Sequence, residues 1–190
     1  MTQAKNIKLL FNLYILDVIV IAAMIVAALV LQFALTEIPC PLCLLQRLGI
    51  LGIAVGFLMN LRFGIRPSHY ALSLLSAIFA GYVALRQITL HIMPGDKGYG
   101  EALFGLHLYT WVFLASVAMV LYITVLLFLD DQFKQSVLHQ SKKFKILIAT
   151  TFSIIVLVMV VNIVTTFLEC GLQQCPDNPV VYKYLENDLA

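Results

Sequence analysis

The chain has 190 residues, of which 62% are hydrophobic and only 12% are charged, and its mean hydropathy is +0.96. Soluble domains carry about 25% charged residues, so this composition excludes an ordinary water-soluble domain and indicates that much apolar surface faces lipid. The net charge of +2, without a basic run interleaved with aromatic residues, excludes a nucleic-acid-binding protein.

Five apolar runs predict five membrane-spanning helices, because each is near the ~20 residues that a bilayer crossing requires. In chain order they cover residues 12–35, 44–61, 69–90, 106–129 and 145–168. The first run is longer than the roughly 7–15-residue core of a signal peptide, so we expect it to be retained. The predicted fold is an all-α polytopic membrane protein, a single domain over 1–190 with a four-helix bundle core and a fifth transmembrane helix.

Small and polar residues inside these runs are expected to pack rather than react. Gly49, Gly52 and Gly56 in the second run would let another helix approach closely. Asp17 and Asn162 are expected to form hydrogen bonds across the bundle, because lipid offers them no partner.

Basic residues predict the orientation, because lysine and arginine concentrate on the cytoplasmic side of a membrane. Eight of them fall on one side of the threading: Lys5, Lys8, Arg62, Arg66, Lys134, Lys142, Lys143 and Lys145. The N-terminus is therefore expected in the cytoplasm, and the segments 36–43, 91–105 and 169–190 outside. Both cysteine pairs lie in these outer segments, in a compartment that permits disulfides, such as a bacterial periplasm.

The first pair has the redox spacing Cys-x-x-Cys, in Pro39-Cys40-Pro41-Leu42-Cys43. Pro41 suits the first turn of a helix, which would place Cys43 near the N-terminus of the second helix, where a thiolate is favoured. Arg47 would project from the same helix face as Cys43 and lower the pKa of a thiol there. Three other interpretations stay open. The disulfide could be purely structural, Arg47 could be a cation without a functional role that extends to the membrane–water interface, or all four cysteines could form a zinc site.

These residues resemble a known family. The motif Cys40-Pro41-Leu42-Cys43 with Gln46-Arg47, which opens the second helix, is similar to that of the disulfide bond formation protein B (DsbB) family. Two weaker motifs support the resemblance over residues 10–130: Phe104-Gly105-Leu106 before Trp111, and Arg86-Gln87 before His91.

The resemblance implies an enzyme that oxidises a soluble periplasmic DsbA-like protein and passes the electrons to membrane quinone, either ubiquinone or menaquinone. Cys40 and Cys43 would form the quinone-linked disulfide, with Cys43 facing the ring and Arg47 and Gln46 beside it. His91 would help to position the quinone or deliver protons, although an interfacial histidine is often only a polar anchor. The implied location is the bacterial inner membrane.

The second pair departs from the family pattern, which has two cysteines in the outer loop between helices 3 and 4. Here that loop, from Met93 to Glu101, has none, and the pair is Cys170 and Cys175 in the tail 169–190. Gly171 and the four-residue spacer would let this pair close into a loop. We expect this pair to exchange with the soluble partner and then with Cys40–Cys43; the alternative is that it only staples the tail. The loop itself, with Tyr99, is expected to be a plain connector rather than a cover for the quinone site.

Three rival functions remain at this point. One is a vitamin K epoxide reductase-like enzyme, whose quinone-side cysteines belong late in the bundle. Another is electron flow in the reverse direction. The last is a membrane scaffold with structural disulfides, which would involve no redox chemistry.

Overall fold

The computed structural model describes residues 2–34, 37–134, 142–176, 179 and 181–186. Its long helices are α1 (Thr2–Ala34), α2 (Pro41–Phe63), α3 (Pro67–Leu90), α4 (Leu108–Leu127) and α5 (Lys142–Cys170). Shorter elements complete the described chain: a hairpin of β1 (Ala102–Leu103) and β2 (Leu106–His107), a 3₁₀ turn over Asp130–Lys134, and α6 (Lys183–Glu186).

All five long helices are long and apolar enough to cross a membrane, which confirms the all-α polytopic fold class. The helix bounds differ at several ends. The first helix begins at Thr2, because the polar residues before the apolar run continue the same helix. The fourth begins at Leu108 and not at residue 106, because Leu106 and His107 pair with β1 instead.

The central helix of the bundle is α2, which packs against α1, α3 and α5, while α4 packs mainly against α3. The α2–α3 contact depends on the predicted glycines. A Cβ atom built on Gly49 would lie 2.8 Å from the Cβ of Ala80, and one on Gly56 would lie 2.6 Å from the carbonyl oxygen of His69. The packing role expected for these glycines is therefore confirmed.

Polar side chains tie the bundle together at the end that lies away from the cysteines. The hydroxyls of Tyr14 and Tyr70 are hydrogen-bonded to each other, and Tyr70 also donates to the Gln132 Oε1 atom at 2.6 Å. Asp17 accepts a hydrogen bond of 2.9 Å from Tyr122. Together with the Asn162 contact described below, this confirms that both intramembrane polar residues act across the bundle.

The orientation in the membrane stays a prediction. The side chains of Lys5, Lys134 and Lys143 lie outside the described residues, as do the last four residues of the predicted tail. The two cysteine pairs nevertheless lie at the same end of the bundle, because Cys43 is in the first turn of α2, Cys170 is the last residue of α5, and Arg47 near the first contacts Asn162 near the second.

The close approach at Gly56 makes this position intolerant of side chains. We predict that Gly56→Leu lowers the melting temperature of the detergent-solubilised protein, because the side chain must displace backbone of α3. The expected loss in the free energy of unfolding is about 1–3 kcal/mol. Leu48→Val, on the same helix at a position that is 57% exposed, is the matched control and should melt like the wild type. Equal melting of the two variants would contradict the close packing.

Candidate active site

The first cysteine pair begins α2 with a capped N-terminus. Cys40 is the N-cap residue with extended backbone, and Pro41 occupies the first turn, as predicted. The Cys43 backbone N–H donates to the Cys40 Sγ atom at 3.2 Å, so the cap is a sulfur atom. Both cysteines are free thiols; Cys40 is buried and Cys43 is half-buried.

A glutamine from α3 contacts both sulfur atoms. The Nε2 atom of Gln87 lies 3.3 Å from the Cys40 Sγ and 3.6 Å from the Cys43 Sγ, within reach to donate to a thiolate. The Oε1 atom of Gln87 accepts a hydrogen bond of 2.7 Å from Gln46, which fixes the orientation of the amide. Gln87 is fully buried, so these contacts are held in a site that excludes water.

The two thiols of the pair are unequal. The neighbouring Cys43 sulfur, together with burial, raises the pKa of the Cys40 thiol, and the backbone N–H groups of Cys43 and Leu42 oppose this only in part. When the pair is reduced, Cys40 is therefore the sulfur that favours its protonated form.

Arg47 lies one helical turn after Cys43 and is buried between three helices. Its Nη1 atom donates to Gln32 Oε1 at 2.7 Å on α1 and to Asn162 Oδ1 at 3.5 Å on α5. Its Nη2 atom donates to the Ala28 carbonyl at 3.3 Å. An arginine held in this way is not a cation reaching for the interface, so that interpretation of Arg47 is wrong.

A mostly apolar cavity of about 320 Å³ opens beside this pair, close to the size of small-molecule sites in general. Cys43, Gln46 and Arg47 all line it. The remaining walls come from one face of α1, the segment before α2, the loop after α3, and the start of α4 with Tyr109 and Trp111.

The loop between α3 and α4 is a wall of this cavity, so the expectation that it is a plain connector is wrong. Tyr99, Gly100 and Leu103 line the cavity, and the Tyr99 hydroxyl donates to the Ile38 carbonyl at 2.5 Å. Burial, followed by the nearby Cys40 and Cys43, raises the pKa of Tyr99. Its hydroxyl therefore stays protonated and keeps its hydrogen bond to the Ile38 carbonyl.

His91 lies apart from the cysteines. It ends α3, pairs with Asp96 at 3.2 Å and stacks on the ring of Tyr109, 5.9 Å away between centroids. It does not line the cavity itself, although Tyr109 does. The pKa of Asp96 is lowered by the Gly98 backbone N–H and by His91, which favours the carboxylate form of Asp96 at the protein surface.

The second pair forms a disulfide between Cys170 and Cys175. The chain between them closes into a loop, as their spacing predicts. Gly171, at φ +65°, turns the chain out of α5, and its N–H bonds to the Phe167 carbonyl at 2.8 Å. The tail then returns to the bundle, where the Tyr182 hydroxyl accepts a hydrogen bond of 2.8 Å from Gln32, the same residue that contacts Arg47. The four-cysteine zinc site is therefore absent from the described residues, because this pair is closed on itself.

Several residues of the site were not singled out from the sequence. Gln32 holds the guanidinium, and Glu169 is a fully buried carboxyl directly before Cys170. Gln87 was noted only as part of the motif before His91, without its role at the sulfurs. A signal for each existed, because amide and acidic side chains at membrane depth are rare and tend to face the bundle interior.

Comparison with known proteins agrees with this geometry. A model of the family described as disulfide bond formation protein DsbB matches residues 11–99. This segment, just under half of the chain, is therefore similar to the DsbB family. The match includes Cys40, Cys43, Gln46, Arg47 and Gln87, and it ends before the tail cysteines.

A curated protein supports this similarity. Disulfide bond formation protein B of Chromobacterium violaceum is 40% identical over 76 residues, which is 37% of this chain and 45% of the relative. The aligned segment therefore spans less than half of that protein. No solved structure matches the chain at a significant level.

The Gln87 contacts predict a measurable effect on thiol reactivity. Gln87→Leu keeps similar volume but removes the donor to both sulfurs, so alkylation of the reduced pair by iodoacetamide at pH 7 should slow about tenfold or more, as expected for a lost hydrogen bond to a charged group. The rate is measured by quenched mass spectrometry of the peptide that contains both cysteines.

Thr89→Val on the exposed face of the same helix is the control, and it should leave the alkylation rate unchanged. If Gln87→Leu alkylates as fast as this control, the amide does not stabilise the thiolate.

Proposed function

We propose that this protein is a quinone-dependent thiol oxidase that reoxidises a periplasmic DsbA-like dithiol protein and thereby supports disulfide bond formation. The observation that carries the proposal is the shared cavity, since Cys43 and Arg47 line one apolar space of about 320 Å³. Cys43 lies beside the fixed positive charge of Arg47 and an apolar cavity, and its partner Cys40 is the sulfur that favours the proton. This arrangement suits electron transfer from sulfur to a lipid-soluble acceptor.

The residues around the cavity fit a quinone head group. The guanidinium of arginine has five N–H donors, and the contacts to Gln32, Asn162 and Ala28 use three of them. Among the described residues the other two are free to bind a carbonyl oxygen, while Trp111 and Tyr109 supply flat apolar walls. A bound quinone would supply a two-electron acceptor at this site, and either ubiquinone or menaquinone has the required carbonyls.

The remaining residues have supporting roles in this proposal. Gln46 holds Gln87, which orients both sulfurs, and Cys43 is the sulfur that faces the cavity. His91 is assigned to positioning, because it touches the cavity only through the stacked ring of Tyr109. Cys40 closes the disulfide with Cys43 when the pair is oxidised.

The tail disulfide is proposed as the entry port for electrons. Cys170 follows Glu169, whose carboxyl interacts electrostatically with Cys43, so the root of the tail lies close to the first pair. The Gln32–Tyr182 hydrogen bond holds the tail against the same helices. In this scheme the protein resides in the bacterial inner membrane, with its N-terminus in the cytoplasm and both cysteine pairs in the periplasm.

Anaerobic turnover tests the proposal. The purified protein, supplied with a reduced DsbA-like protein, should reduce ubiquinone-1 or a short-chain menaquinone, measured by quinone absorbance. Arg47→Lys should raise the quinone KM about tenfold or more, because the ammonium cannot keep the contacts to α1 and α5 while binding a carbonyl.

Cys43→Ser should abolish turnover, and Leu48→Val, on the lipid-facing side of α2, is the matched control that should not affect it. Absence of quinone-dependent turnover by the wild type would leave a scaffold with structural disulfides as the better interpretation.

The tail pair has its own test. In Cys170→Ser/Cys175→Ser, oxidation of the soluble partner should fall on the order of 10²-fold, because the partner must then attack the buried Cys40–Cys43 pair directly. Quinone reduction with dithiothreitol, which is small enough to reach that pair, should be retained. Full-rate oxidation of the protein partner by this variant would show that the tail disulfide has only a structural role.

A further inference from the structure

Glu169 is a carboxyl group without a partner. It lies in the last turn of α5 and is fully buried, and neither carboxylate oxygen has a hydrogen-bond partner within the part of the chain that the structure describes. A charged carboxylate in such a place is unfavourable by several kcal/mol unless it is paired, whereas the protonated form is tolerated. A buried group of this kind calls for an explanation, and a redox or catalytic role is one.

The surroundings of Glu169 connect it to both cysteine pairs. It interacts electrostatically with Arg47 and Cys43, and also with Tyr99 on the cavity wall. It precedes Cys170 directly. Asn162, which contacts Arg47, lies seven residues earlier and therefore on the same face of α5.

The carboxyl is near Arg47 without being bound to it. Within the described residues, the ion pair closer than 4.0 Å is that of His91 with Asp96, and Arg47 is held by two amides and a carbonyl. A guanidinium that does not form a salt bridge with a nearby carboxyl leaves that carboxyl free to change its protonation state.

We propose that Glu169 is a proton carrier, which takes up a proton when Cys40–Cys43 is reduced and releases it when this pair is oxidised. The inference rests on the proposed function, because it concerns the protons that accompany electron transfer to a quinone.

The proton balance of the oxidising step requires such a group. In the reduced pair, Cys40 is a thiol and Cys43 a thiolate, so formation of the Cys40–Cys43 bond releases two electrons and one proton. Conversion of a quinone to a quinol takes two electrons and two protons. Protonated Glu169 supplies the second proton, and the resulting carboxylate is stabilised by the positive charge of Arg47.

The reducing step restores the carboxyl group. When the dithiol form of Cys170 and Cys175 reduces Cys40–Cys43, the tail disulfide forms, and two electrons and two protons are transferred. One proton goes to Cys40, Cys43 leaves as the thiolate, and the other proton goes to Glu169. The position of Glu169 next to Cys170 gives this proton a short path.

Another acidic residue near the site is Glu37, which lines the cavity. Glu37 is half-buried and still in contact with solvent, whereas Glu169 has no exposed surface. The burial of Glu169 is what couples its protonation to the redox state of the pair.

Infrared difference spectroscopy of the quinone-free, full-length protein tests the proposal without relying on turnover. Chemical reduction should produce a C=O band of a protonated carboxylic acid that shifts in D₂O. The band should be present in wild type and in Glu37→Gln, and absent in Glu169→Gln. Quinone-dependent turnover of Glu169→Gln should fall on the order of 10²-fold, with unchanged melting temperature.

Glu101→Gln, an exposed change in the outer loop, is the control for both measurements. A wild-type protein without a redox-dependent carboxyl band overturns the inference, as does a band that is lost in Glu37→Gln and kept in Glu169→Gln. Where Glu169→Gln does not fold, the other two spectra still test the inference, since a missing band in the wild type or its loss in Glu37→Gln overturns it. Loss of quinone turnover in the wild type would instead overturn the proposed function, because the band is measured without quinone.

Discussion

The burial of one guanidinium organises this end of the molecule. Arg47 carries a charge that the apolar interior disfavours, and it becomes tolerable only when its donors are satisfied. Its partners come from α1 and α5, at Gln32, the Ala28 carbonyl and Asn162. Three helices therefore meet at this point, and the Cys43 thiol lies one turn away on the same helix.

The nature of these partners matters as much as their number. Two amides and a carbonyl satisfy hydrogen bonds without cancelling the positive charge, so the charge remains available to a thiolate or to an acceptor in the cavity. A direct salt bridge with Glu169 would neutralise it. Because the two groups form no salt bridge, Arg47 keeps its positive charge unneutralised. Glu169 is nevertheless close enough to interact with that charge.

Amide side chains have a similar role at the sulfurs. Gln87 reaches from α3 to both cysteines and is oriented by Gln46, so the α2–α3 contact positions the reactive atoms. That contact is close because the glycines of α2 have no side chains to separate the helices. The packing of α2 against α3 therefore also determines the geometry at the thiols.

The sequence by itself determined the membrane-spanning fold, the Cys-x-x-Cys pair at a helix start, and Arg47 one turn beyond, because hydropathy, proline position and helical periodicity are local properties. It also indicated that Cys170 and Cys175 could close a loop. The partners of these residues were decided only by the tertiary structure. Gln32, Gln87 and Glu169 lie on three different helices, and the wall formed by Tyr99 depends on how a glycine-rich loop folds back. Such long-range contacts follow from helix packing, which no local pattern in a single sequence reports.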